Sequence, residues 1–118
     1  MAHGWGQSFL EIIMNMIELI RGTTFQLILR LPSKYADGAF YGYALKSQVR
    51  TEANQLVADL DAQWMDSPAC KNISLRFADT SNWPVGLLVS DVKLFDPLGD
   101  ESVQTKRIVI NCIPGVTE

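Results

Sequence analysis

Histidine is almost missing from this chain, and with it most of the acid–base chemistry that operates near neutral pH. The single one, His3, sits in the Gly-rich opening MAHGWGQ. A Ser/His/Asp or Cys/His constellation would have to rest on that residue, which a terminal arm does not hold in register. No G-x-S-x-G, H-E-x-x-H, Walker loop or dinucleotide fingerprint occurs either, so no enzyme class is indicated. Cysteine is equally scarce. Cys70 and Cys112 fit no metal-ligand spacing and are too few for a disulfide framework, so both are expected as reduced, partly buried thiols. Basic runs are absent: ten Lys+Arg stand against thirteen Asp+Glu, for a formal net charge of -3. That balance argues against nucleic acid as the partner. Long apolar runs are absent too, because Phe9 to Ile20 carries Glu11, Asn15 and Glu18 and lacks a basic flank. It falls short of the roughly 20 residues that a bilayer crossing requires, so no membrane partner is expected.

What is present suits one folded domain. Of the 118 residues 47% are hydrophobic and 19% charged, enough to bury a core without metal or disulfide staples. The segment MIELIRGTTFQLILRLP is ambiguous, since Phe9, Ile13, Met16 and Ile20 recur at helical intervals of three and four. Ile17 and Leu19, then Phe25, Leu27, Leu29 and Leu31, recur at strict intervals of two, broken at Gly22 where a chain can turn. Further along, FYGYALKSQVR alternates Tyr43, Leu45, Ser47 and Val49 against Ala44, Lys46, Gln48 and Arg50. Ile73, Leu75 and Phe77, then LLVSDVKLF, then a final VQTKRIVINCI read as strands, with turns over MDSPACKN, ADTSNWPVG and DPLGDES. Short strands at this spacing predict an all-β sandwich or barrel, and they favour two strands over a helix for Met16 to Leu31. Leu56, Leu60 and Trp64, at intervals of four, offer one competing helix.

The order of these residues resembles a small domain found in tailed-phage virion proteins, among them the N-terminal domain of upper baseplate proteins. The resemblance is carried by MIELIRGTTF (Met16 to Phe25), SQVR (Ser47 to Arg50), ISLRFADTSNWPVGLLVSDVKLFDPLG (Ile73 to Gly99) and the closing GVT (Gly115 to Thr117). It implies an immunoglobulin-like antiparallel β-sandwich over residues 16–118, preceded by an N-terminal extension over residues 1–15. It also implies a structural protein of the tail, neck or baseplate that attaches to other virion proteins (tail, fibre or portal-region subunits) in a multi-copy assembly. On that reading the chain is made in the host cytoplasm and resides in the virion, without cofactor. Thr23 stands where that pattern has Asp, so a weaker cap is expected on the turn after Gly22.

Interface residues are sought where the domain has no use for apolar side chains. Trp5, Phe9, Ile12 and Ile13 precede the first strand and are expected to dock on a neighbouring subunit. Trp83, before Pro84, reads as cover for one end of the fold or as a second anchor. Asp59, Asp61 and Asp66, and Asp96, Asp100 and Glu101, read as solvated turn carboxylates, and the second cluster, DPLGDE, lacks the alternating oxygen ligands of a Ca²⁺ loop. The competing reading is a β-sandwich or barrel that binds a small ligand in an apolar cavity.

Overall fold

A computed structural model describes residues 16–99 and 102–116. The described residues form eight strands and no helix: β1 (Met16–Ile20), β2 (Phe25–Arg30), β3 (Ala44–Thr51), β4 (Leu56–Trp64), β5 (Asn72–Phe77), β6 (Gly86–Phe95), β7 (Ser102–Gln104) and β8 (Ile108–Ile113). The chain is therefore all-β, and the period of two wins in both ambiguous segments. In β1, Leu19 enters the core while Met16 and Ile20 face outward. In β4, Ala58 and Leu60 are buried and Ala62 and Trp64 half-buried on the same side. Leu56, Leu60 and Trp64 satisfy both periods because four is a multiple of two.

The strands follow one hydrogen-bonded path, β1-β8-β6-β3-β4-β5-β2, with β7 also on β6. All ladders are antiparallel except β1 on β8, which is parallel. Strand β4 turns the path: Leu56 to Leu60 pair with β3, and Asp61 to Trp64 pair with β5. Consecutive strands β1 and β2 thus lie at opposite ends of the path, and the turn between them is a crossing. Gly22 supplies its positive φ of 98°. Thr80, fully buried, pins the turn from the loop after β5: its Oγ1 accepts from Gly22 N at 2.9 Å and donates to the Thr23 carbonyl at 2.6 Å. Thr23 Oγ1 itself donates back to the Ile20 carbonyl at 2.6 Å.

The core follows directly from the alternation. Leu88, Val92 and Leu94 of β6, Val49 of β3, Ile73 and Leu75 of β5, and Ile108, Ile110 and Cys112 of β8 all point inward and exclude water. Two inward positions are polar, Ser47 and Ser90, and they satisfy each other at 3.1 Å while Ser47 also donates to the Asp91 carbonyl. Cys70 and Cys112 are both free and buried. One end is closed by Trp83, which is 3% exposed and packs on Phe25 and Phe77 at centroid separations of 5.6 and 5.4 Å. Trp83 is thus core cover rather than an exposed anchor. The other end is closed by Tyr35, Phe40 and Tyr43 in edge contacts, with Trp64 Nε1 donating to the Tyr43 carbonyl at 3.0 Å. Lys71, nearly buried there, donates its Nζ to the carbonyls of Pro32 and Tyr35.

Two strand expectations require correction. FYGY does not begin β3, which starts at Ala44. Gly42 has φ 85°, and Tyr43 N bonds the Phe40 carbonyl at 3.0 Å, so the aromatics sit in a turn. The closing strand is also divided. Gln104 pairs with Lys93 but Ile108 pairs with Ser90, so three residues, Thr105 to Arg107, face only Asp91 and Val92. This is a β-bulge of one extra residue. Thr105 holds it, its N donating to the Val92 carbonyl and its Oγ1 accepting from Val92 N, both at 2.9 Å.

Trp83 Nε1 is buried with no hydrogen-bond partner. Replacing the indole by a ring without that donor removes an unsatisfied group, whereas deleting the ring opens a cavity between Phe25 and Phe77. Trp83→Ala is expected to cost about 3–5 kcal/mol in chemical denaturation and Trp83→Phe less than about 1.5 kcal/mol. Similar losses in the two variants would contradict this packing role.

Candidate functional site

The same alternation that fills the core decides what the outer face displays. Across β1, β8 and β6 the register aligns Met16 with Val109 and Val109 with Val89, and it places Ile20 beside Ile113. Met16 is 60% exposed, Ile20 50% and Leu87 42%. Met16, Val109 and Val89 form one apolar row and Ile20 and Ile113 another at this edge, separated by the row of Glu18, Asn111 and Leu87. Trp5, Phe9, Ile12 and Ile13, the expected interface residues, lie outside the described residues, as does His3.

Further along the same face the chemistry changes. The outward residues of β3 and β6, with Gln104 of β7, line an open depression of about 390 Å³. Four cations reach it: Lys46, Arg50, Lys93 and Arg107. Both Arg residues stand at irregularities. Arg107 belongs to the bulge before β8, and Arg50 follows the register shift at which Val57 of β4 becomes the extra residue. Bulges re-aim side chains next to binding sites. Lys46 and Lys93 are direct cross-strand partners.

Two amides and one carboxylate occupy the space between these cations: Gln48, Gln104 and Asp91, which is the cross-strand partner of Gln48. Arg50 donates from Nη2 to Gln48 Oε1 at 2.9 Å and from Nη1 to the Asn54 carbonyl at 3.0 Å. Gln48 in turn donates to Asp59 at 2.7 Å, and Gln104 donates to Asp91 at 2.5 Å. Lys93 Nζ lies 5.3 Å from the Phe95 ring centroid. No run of basic residues marks the site in the sequence. Lys46 and Arg50 meet Lys93 only because β3 pairs with β6.

Asp59 and Asp61, expected in a turn, lie in β4 with both side chains exposed. Asp61 accepts from Gln63, and Asp96 accepts from Leu98 N at 2.9 Å. Asp100 and Glu101 lie outside the described residues. Among the described residues no group of three His, Cys, Asp or Glu side chains could hold a metal ion. Two carboxyl groups are held below their ordinary value, both in turns. Asp79 is lowered chiefly by the Ser81 hydroxyl and then by Ser81 N. Asp66 is lowered chiefly by the Asn72 backbone N–H, with Lys71 N and the Asn72 side chain adding to it against the opposing effect of burial.

The chain matches no protein-family model and no curated protein.

A carboxylate whose folded-state pKa is depressed stabilises the fold above its ordinary value of 3.8, and that contribution is lost as pH falls through the lowered value. Asp66→Ala is therefore expected to lower the thermal midpoint by several degrees at pH 7. The gap to the parent chain should narrow as both are taken from pH 4 toward pH 2 in melting experiments. A gap that stays constant across that range would show that the carboxylate charge does not matter.

Proposed function

We propose that this chain is a structural protein of a tailed-phage virion, belonging to the tail, neck or baseplate, and that it works by association with neighbouring subunits. The observation that carries the reading is the strand order. In the immunoglobulin arrangement the third, sixth and seventh strands form one sheet, and the second, fourth and fifth belong to the other. Here β3, β6 and β8 are neighbours along one part of the path, and β4, β5 and β2 along the other, with β7 as an addition to β6. That grouping supports the sandwich the residue resemblance implies; β1 departs from it by lying on β8, and β4 continues the path from β3.

The attachment we assign to the N-terminal segment and the face beside it. Trp5, Phe9, Ile12 and Ile13 precede a strand whose outward residues are the apolar Met16 and Ile20 with Glu18 between them, all exposed. An apolar surface of this kind is stabilised when a neighbour covers it. The depression on β3 and β6 is polar and open, which does not favour the small-ligand reading, since such sites are predominantly apolar and bury most of their ligand.

Deleting Met1 to Asn15 removes no described strand. The truncated chain is expected to keep the thermal midpoint of the full chain while failing to enter purified particles. Phe9→Ala or Trp5→Ala should weaken assembly by about 2 kcal/mol or more with little change in monomer stability. Unfolding of the truncated chain would place the segment in the core, and normal assembly without it would move the attachment elsewhere; either result overturns the assignment.

A further inference from the structure

We infer that the depression on the outer face of β3, β6 and β7 is a docking site for a short, extended acidic peptide segment of a partner protein. The inference stands on charge placement and does not depend on the phage reading. The chain carries a formal net charge of -3, yet four of its ten Lys+Arg line this one depression beside a single carboxylate, Asp91. Asp91 is engaged by Gln104, and both hydrogen bonds of Arg50 go to neutral oxygens. Lys46 and Lys93 face each other across the ladder, an arrangement that is destabilising for like charges. Among the described residues the one carboxylate lining the depression is Asp91, in the row next to these two lysines, and it leaves the four cations in excess. An anion supplied from outside would neutralise them.

The spacing selects the kind of anion. Lys46 and Arg50 are four residues apart on one strand, a separation of about 13 Å, and Lys93 lies one strand over, about 5 Å away. A single phosphate cannot span that strip. An extended peptide can, because carboxylates at alternate positions on one of its faces repeat about every 7 Å and reach the same 13 Å in four residues. A long polyanion is disfavoured by what borders the strip: Asp59 on β4, exposed, lies opposite Gln48 and accepts from it. Nucleic acid extending past the four cations would meet that carboxylate. Phe95, beneath Lys93, and the amides of Gln48, Gln104 and Asn54 offer contacts to the peptide's apolar carbons and backbone.

The test uses the full chain labelled with ¹⁵N and titrated with three probes: a hexapeptide alternating Glu and Ser, inorganic phosphate, and a single-stranded oligonucleotide. The hexapeptide is expected to produce saturable amide shifts confined to β3, β6, β7 and the Thr105 to Arg107 bulge. Affinity should fall about tenfold or more between low and high salt. Lys46→Glu should abolish those shifts while raising the thermal midpoint by about 1–4 °C, since it turns a like-charge pair into an opposite one. Lys46→Gln serves as the neutral control and should weaken binding without loss of fold. The proposal is overturned if the hexapeptide gives no saturable shift or shifts residues elsewhere. It is equally overturned if phosphate alone reproduces the shifts at the same concentration, if the oligonucleotide binds as tightly as the peptide, or if Lys46→Glu folds and binds unchanged.

Discussion

Strand β6 is the constraint on which the other features depend. Its ten residues pair with β3 along one side and with β8 and then β7 along the other. Because successive side chains point to opposite faces, a single run, GLLVSDVKLF, supplies inward Leu88, Ser90, Val92 and Leu94 and outward Leu87, Val89, Asp91, Lys93 and Phe95. A slip of one residue would exchange the two sets and put Asp91 and Lys93 in the core. The buried Ser47–Ser90 contact acts against such a slip, since each hydroxyl finds its partner only in this register.

From β6 outward the fold is a sequence of local solutions to exposed edges. The crossing from β1 to β2 is tied by Thr80, and the end near β2 and β5 is covered by Trp83. At the opposite end Asp66 accepts the backbone donors of Lys71 and Asn72, ordering the loop that leads into β5. What is left without cover is the outer face, divided between apolar rows on β1, β8 and β6, which Glu18 and Asn111 separate, and a cationic depression on β3, β6 and β7. Under the proposed association these are the surfaces that a neighbouring subunit would cover.

Most of the strand content was legible because alternation is a direct image of one buried face. Ile73, Leu75 and Phe77, and the run from Leu87 to Phe95, could be placed from spacing alone. Three features were harder for identifiable reasons. Leu56, Leu60 and Trp64 fit two periods at once, and only pairing with β3 and β5 decides between them. FYGY has high strand propensity, yet Gly42 sits at positive φ and the three aromatics around the turn, Tyr35, Phe40 and Tyr43, pack on one another rather than in a ladder. The bulge at Thr105 to Arg107 depends on a threonine side chain bonding a backbone group on another strand, which no local pattern announces. The basic depression was illegible for a related reason: its four cations are spread from residue 46 to residue 107 and form no run.

Amide hydrogen exchange resolved by residue tests the central role of β6 most directly. Amides of Leu88 to Leu94 and their partners in β3 and β8 are expected to exchange slowest, through global unfolding only. The edge strands β1 and β7 should exchange far faster, through local opening. Exchange in β6 as fast as in β1 or β7 would contradict the account, because the strand said to hold both core and outer face in register would then open independently of the rest.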